Sequence, residues 1–168
     1  WSLDHDVGAL ALRKGGGAVL ALDDGFYTFD FHSGELELIT RIDADQPRSR
    51  LNDGKCDRRG RFLAGGMDDK EELGICGLWV LDTDFSVRKL DEGIICSNGP
   101  CWSPDDRTFY FADTFRQTMW AYDYDLAAGA VSNRRDFAST RDDPGFFDGS
   151  TVDAEGCVWN ALVIGGDL

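Results

Sequence analysis

Short apolar runs of four to six residues recur along the chain, each opening just after a turn-forming residue. The runs cover 18–22, 61–64, 108–112 and 157–162, and the turn residues before them are Gly16, Gly60, Asp106 and Gly156. They are rich in aromatic and β-branched side chains and bounded by Gly and Asp, which favours strands over helices. A further strand is predicted over 25–31, 77–82 and 119–125, and an outer one over 36–42, 87–91 and 130–137. Turn signals separate the two at His32-Ser33-Gly34, Thr83-Asp84 and 126–129. Short inner strands are predicted over 55–57, 100–103 and 150–153.

The turn residues are spaced 44, 46 and 50 positions apart. Short-strand repeats of this period are the mark of a β-propeller. The expectation is an all-β chain with repeats over 7–43, 52–92, 98–138 and 148–168, the last incomplete, giving about three and a half four-stranded blades. The chain opens on Trp1 rather than Met and stops inside a repeat, which reads as an excerpt of a longer propeller. A complete open β-sandwich is the alternative.

A chain of 168 residues suits one domain with a real core. Its net charge of −14 argues against nucleic acid or an anionic membrane as partner. No apolar run approaches the roughly 20 residues that a helix needs to span a bilayer, and no leader-like segment opens the chain, so a cytoplasmic location is expected. The five cysteines are odd in number and lack CxxC spacing, which removes a zinc-finger reading. Cys56, Cys101 and Cys157 are expected to pack as small apolar residues in or beside the inner strands, as free thiols in a reducing compartment.

Three polar signals sit at one phase of the repeat. Asn52-Asp53-Gly54, Ser97-Asn98-Gly99 and Phe147-Asp148-Gly149 each place Asn or Asp eight positions before the turn residue. Equivalent positions in successive blades converge on the propeller axis. The amide oxygen of Asn98 and the carboxylate of Asp148 suit a hard or borderline divalent cation such as Ca2+ or Zn2+. Any one Asn-Gly or Asp-Gly alone is an ordinary turn former; the aligned set favours a site. Asp105-Asp106, Asp123 with Asp125, and Asp142-Asp143 lack a calcium-loop pattern and read as turns and solvated edges. His5 and His32 are isolated and read as surface residues. Gly15-Gly16-Gly17 precedes a strand rather than a helix, which argues against a phosphate loop.

Arg50-Leu51-Asn52-Asp53-Gly54-Lys55, 65–68, Ser97-Asn98-Gly99-Pro100, Trp102-Ser103-Pro104-Asp105, 109–114, 121–125, 129–135 and 148–156 together resemble the gluconolactonase, regucalcin and luciferin-regenerating-enzyme family. The resemblance implies a partial six-bladed propeller with one divalent metal near its axis, Ca2+ or Zn2+ first, with Mn2+, Mg2+ and Fe2+ also possible. It implies Asn98 and Asp148 as metal ligands, Asp148 also as the catalytic residue, and Arg50 and Asn52 as substrate contacts. A further substrate-side carboxylate falls on Glu71 or Glu72. The family's third ligand, a Glu in an EGP-type motif of the first blade, has no match in this chain. The implied function is metal-dependent hydrolysis of a sugar-acid lactone to the aldonic acid, with the small lactone as partner. The alternatives are a non-catalytic calcium-binding, regulatory propeller, or an inactive fragment lacking the Glu. Arg50 reads equally as a solvated loop arginine, and Asp53 as the cap of its own turn.

Overall fold

The computed structural model describes residues 1–142 and 144–163. It contains β1 (Val7–Leu12), β2 (Ala18–Leu22), β3 (Gly25–Phe29), β4 (Leu36–Arg41), β5 (Ser49–Cys56), β6 (Phe62–Asp68) and β7 (Cys76–Leu81). The chain continues through β8 (Val87–Ile94), β9 (Ser97–Trp102), β10 (Thr108–Asp113), β11 (Thr118–Asp125), β12 (Ala130–Ser139), β13 (Phe146–Val152) and β14 (Val158–Val163). Among the described residues there is no helix, and none, therefore, long and apolar enough to cross a membrane.

The strands form three four-stranded antiparallel sheets, β1-β2-β3-β4, β5-β6-β7-β8 and β9-β10-β11-β12, and the two-stranded β13-β14. The first strands of successive sheets lie side by side, β1 against β5, β5 against β9 and β9 against β13. This is the arrangement of propeller blades around an axis. The second strands β2 and β6 are buried along their whole length, with apolar packing on both faces. That is why they read as continuous apolar runs rather than as alternation. The outer strands β4, β8 and β12 are largely exposed and carry the charges.

Blades join through apolar layers. Phe26, Leu51, Phe62 and Ala64 pack between the first two blades. Leu63, Leu78, Phe109, Phe111 and Tyr122 pack between the second and third, and Ala112, Met119 and Phe147 between the third and fourth. The predicted turn residues take left-handed conformations, with φ of 99° at Gly16, 82° at Gly60, 59° at Asp106 and 90° at Gly156. Asp105 closes its turn by accepting from the Arg107 amide and the Ser103 hydroxyl; Asp123 is engaged by Asn133 and Arg135. Asp143 lies outside the described residues.

Three expectations need correction. The inner strands begin earlier than predicted, so Asn52-Asp53 and Asn98 lie inside β5 and β9 rather than before them. Asn, Asp and Gly are poor strand formers, but the ladder with the second strand of each blade and the packing of the adjacent inner strands hold them in β5 and β9. Cys101 is buried as expected, whereas Cys56 and Cys157 are exposed, at the far end of β5 and in the turn before β14; the remaining buried thiols are Cys76 and Cys96. His5 is half-buried, its Nδ1 2.5 Å from Asp23 Oδ1.

Buried polar ties supplement the apolar layers. At one end of the blades the Asp57 carboxylate, with no side-chain exposure, accepts from Arg61 Nη1 at 2.9 Å and from the Tyr124 hydroxyl of the next blade at 2.8 Å. Arg61 also donates to the carbonyls of Leu126 and Ala127. At the other end Asp68 is fully buried. Burial alone raises its pKa, but bonds from Arg48 and from the amides of Leu73, Glu72 and Lys70 outweigh that and hold the carboxyl well below the usual range.

Arg61→Leu strands the Asp57 charge and is expected to cost about 3–5 kcal/mol. Tyr124→Phe, which deletes one hydrogen bond to that charge, is expected to cost about 1.5–3 kcal/mol; denaturant unfolding measures both. Because the folded pKa of Asp68 is depressed, its stabilisation is complete above the unfolded carboxylate pKa of about 3.9 and is lost as pH falls below it. Asp68→Asn should flatten that acid limb of the stability profile.

Candidate metal centre

Each inner strand carries a bulge at the polar signal. Leu51 pairs with Gly66 and Gly54 with Ala64, so Asn52 and Asp53 together oppose Gly65. Asn98 pairs with Ala112 and Cys101 with Tyr110, so Gly99 and Pro100 oppose Phe111. Phe147 pairs with Leu162 and Ser150 with Asn160, so Asp148 and Gly149 oppose Ala161. Such two-against-one bulges re-aim side chains locally. Here they turn Asn52, Asn98 and Asp148 toward one another across three blades.

Asn98 is buried, 8% exposed. Its Nδ2 donates to Thr114 Oγ1 at 2.8 Å and approaches Cys96 Sγ at 3.8 Å. The other end of the amide lies 3.0 Å from Asp148 Oδ1 and 3.3 Å from the Ser97 carbonyl oxygen, and faces Asn52 Nδ2 at 3.5 Å. The O and N ends of an amide are assigned from their partners. The partners favour the turned amide, whose NH2 donates to Asp148 Oδ1 and to the Ser97 carbonyl and whose oxygen accepts from Thr114 Oγ1 at 2.8 Å.

The backbone on both sides is fixed. Asn160 Nδ2 donates to the Asp148 carbonyl at 2.9 Å and to Ser150 Oγ at 2.5 Å. The Thr114 hydroxyl donates to the Phe147 carbonyl at 2.9 Å. Asp113, wholly buried, accepts from the Ile95 and Cys96 amides ahead of Asn98. Asp53 caps its own bulge through the Gly54 amide and also crosses to the next blade, accepting from the Gly99 amide at 2.8 Å. Burial pushes the Asp53 carboxyl above its ordinary pKa, those two amides pull it down, and the nearby Asp148 charge adds to the rise.

Arg50 is half-buried rather than a solvated loop arginine. Its Nη1 donates to Asn52 Oδ1 at 3.4 Å and its Nε lies 3.2 Å from Asp69. It also lines a cleft of about 440 Å3 with Asp24, Arg41, Asp43, Ser49 and Asp69. Glu72 is taken by Arg48 Nη2 at 3.2 Å. Glu71, exposed in the loop after β6, is the carboxylate whose charge reaches Cys96. The Cys96 thiol is pushed up to about 11, mainly by burial, with Asp113 and Glu71 adding to the rise. So Asn98, Asp148, Asn52 and Arg50 come together, and Glu71 stands at the margin.

A divalent cation fits this pair: the Asp148 carboxylate and the Asn98 amide oxygen, brought round in place of the NH2, are both hard donors. Thr114, Asn160 and Cys96 escaped the sequence reading. Thr114 lies within the 109–114 stretch that carries the family resemblance, but nothing in its neighbours marks its hydroxyl.

The conformation of Gly99 holds the site together. Its φ is 62°, and a Cβ there would sit 2.2 Å from Ser150 Oγ and 2.8 Å from the Asp148 carbonyl. Gly99→Ala is expected to destabilise the protein by more than the roughly 1 kcal/mol of left-handed strain alone, and to displace Asp148 enough to weaken cation binding. Unfolding and cation titration together check this.

The family model for the SMP-30/Gluconolactonase/LRE-like region matches residues 1–168. A regucalcin of Xenopus laevis is 38% identical over 170 residues, covering 98% of this chain and 57% of that protein. A calcium-binding protein, regucalcin, from Agrobacterium tumefaciens superposes with a TM-score of 0.89 at 32% identity, over 96% of this chain and 55% of that one. A luciferin-regenerating enzyme superposes with the same score of 0.89 at 28% identity, over 98% and 58%. The chain thus spans little more than half the length of these relatives. The match along its whole length, with the propeller arrangement of its blades, means that the chain belongs to the SMP-30/gluconolactonase/LRE-like family.

Proposed function

We propose that the protein carrying this chain hydrolyses a sugar-acid lactone to its aldonic acid at the site built by Asn98 and Asp148. The observation that carries this reading is the approach of the Asn98 amide to Asp148 Oδ1, 3.0 Å apart near the blade axis, with a buried framework behind it. Asn98 and Asp148 would hold a divalent cation, Ca2+ or Zn2+ by donor chemistry. When bound, that cation supplies Lewis-acid stabilisation of the oxyanion formed as water adds to the lactone carbonyl.

Asp148 accepts a proton from the attacking water as its O–H bond breaks and the oxygen bonds to the carbonyl carbon. As the ring C–O bond breaks, the same carboxyl returns the proton to the departing ring oxygen, giving an open-chain hydroxy acid. Arg50 presents a planar fork of donors beside Asn52, suited to a carbonyl or to vicinal hydroxyls. The polar cleft beside Arg50 suits a polyhydroxylated chain better than an apolar acyl group.

A second reading has its own support. The Agrobacterium relative is described as a calcium-binding protein, and the same oxygens could hold Ca2+ without turnover. A panel of aldono-1,4- and 1,5-lactones, assayed by acid release from the whole protein with several divalent cations, separates the two. Hydrolysis supports the enzyme, and cation binding with no acid release selects the calcium-binding reading. In the active protein Asp148→Ala is expected to lower turnover by at least about 10²–10⁴-fold while the fold is retained. Wild-type rates in that variant would sink the mechanism.

A further inference from the structure

We infer that Thr114 is the positioning residue that points the Asn98 amide oxygen, rather than its NH2 group, at the cation site. This rests on the cation reading of Asn98 and Asp148 and adds the residue that makes Asn98 a competent ligand. Thr114 is buried, 4% exposed, in the turn that follows β10. Its hydroxyl sits between the two ligand strands, donating to the carbonyl of Phe147 at 2.9 Å and accepting from Asn98 Nδ2 at 2.8 Å.

A hydroxyl has one proton. While that proton is on Phe147, the oxygen can only accept, so the Asn98 NH2 must face Thr114 and its oxygen must face Asp148. If the amide turned over, its nitrogen would donate to Asp148 Oδ1 at 3.0 Å and to the Ser97 carbonyl at 3.3 Å, and its oxygen would take the Thr114 proton. The carbonyl of Phe147, next to Asp148, would then lose its donor. The NH2 group is satisfied either way, with Thr114 and Cys96 on one side or Asp148 and Ser97 on the other. Without a cation the oxygen favours the turned amide, where it takes the Thr114 proton; a cation selects the other orientation, in which the Thr114 oxygen receives the NH2 group.

Asn52 weighs on the same side. Its Nδ2 donates to the Ser97 carbonyl at 2.9 Å and points at the Asn98 amide oxygen at 3.5 Å. A turned amide would bring two NH2 groups together over that one carbonyl. Without a cation the turned amide fills the site with a direct Asn98–Asp148 hydrogen bond; with one, the oxygen-out orientation supplies both ligands. With the cation bound, Thr114 holds the NH2 group and so steadies the amide oxygen on the ion.

Thr114→Val keeps the side-chain shape but removes the acceptor, whereas Thr114→Ser keeps the hydroxyl. In the whole protein, calorimetric titration with Ca2+ and with Zn2+ should show Thr114→Val binding about 10–100-fold more weakly than wild type, the range typical of lost outer-shell partners. Thr114→Ser should stay within a few-fold of wild type. Equal binding by Thr114→Val and wild type overturns the inference. Wild type that binds neither ion overturns the cation reading itself, and the inference with it. Nitrogen-15 NMR of the wild type provides a test that needs no stable valine variant. The Asn98 side-chain NH2 signals, identified by their loss in Asn98→Asp, should move on cation addition as the amide settles against Thr114. Signals that stay fixed through a saturating titration overturn it.

Discussion

The close approach of the inner strands around the axis is the constraint on which the site depends. At Gly99 there is no room for a single extra carbon between β9 and β13, and between β1 and β5 Gly8 likewise leaves none against the backbone of Leu51 and Asn52. Side chains whose backbones are this near can share one ion although their positions are some fifty residues apart in sequence. The Asp53 carboxylate holds the Gly99 amide in place from the neighbouring blade, so the same contact fixes strand spacing and the direction of Asn98.

Stability and recognition are served by different parts of the blades. Apolar layers between blades supply the bulk of the burial, and charged ties such as Asp57 with Arg61 and Tyr124, or Asp68 with Arg48, pin the ends of the strands. Those ties are closed systems in which nearly every donor meets an acceptor. Asn98 and Asp148 are different: an amide and a carboxylate from neighbouring blades meet near the axis, 3.0 Å apart. An amide oxygen and a carboxylate can share one ion, which is why this pair, and not the more numerous surface carboxylates, is read as a cation site.

Fold alone does not assign chemistry. The family shared with regucalcins and luciferin-regenerating enzyme bounds the choices, and the donors at the axis are what the proposed cation-dependent chemistry rests on. The polar cleft shared with Arg50 agrees with that, since it offers carboxylates and guanidinium groups rather than an apolar wall.

Repeat spacing and turn residues were enough to reveal the blades, because strand runs and left-handed turns are written in local residue types: Gly60, Asp106 and Gly156 take the conformations their positions demand. The phase of Asn52, Asn98 and Asp148 in the repeat was legible for the same reason. The starts of the inner strands were not, since Asn-Asp-Gly favours turns locally and is held in β5 only by its pairing with β6 and the packing of the adjacent inner strands. Nor could the chain alone separate Glu71 from Glu72, place Cys56 and Cys157 in solvent, or single out Thr114 among many threonines. Those outcomes depend on which blade lies against which, and on where one hydroxyl proton goes; contacts between residues distant in sequence set both, and no local pattern encodes them.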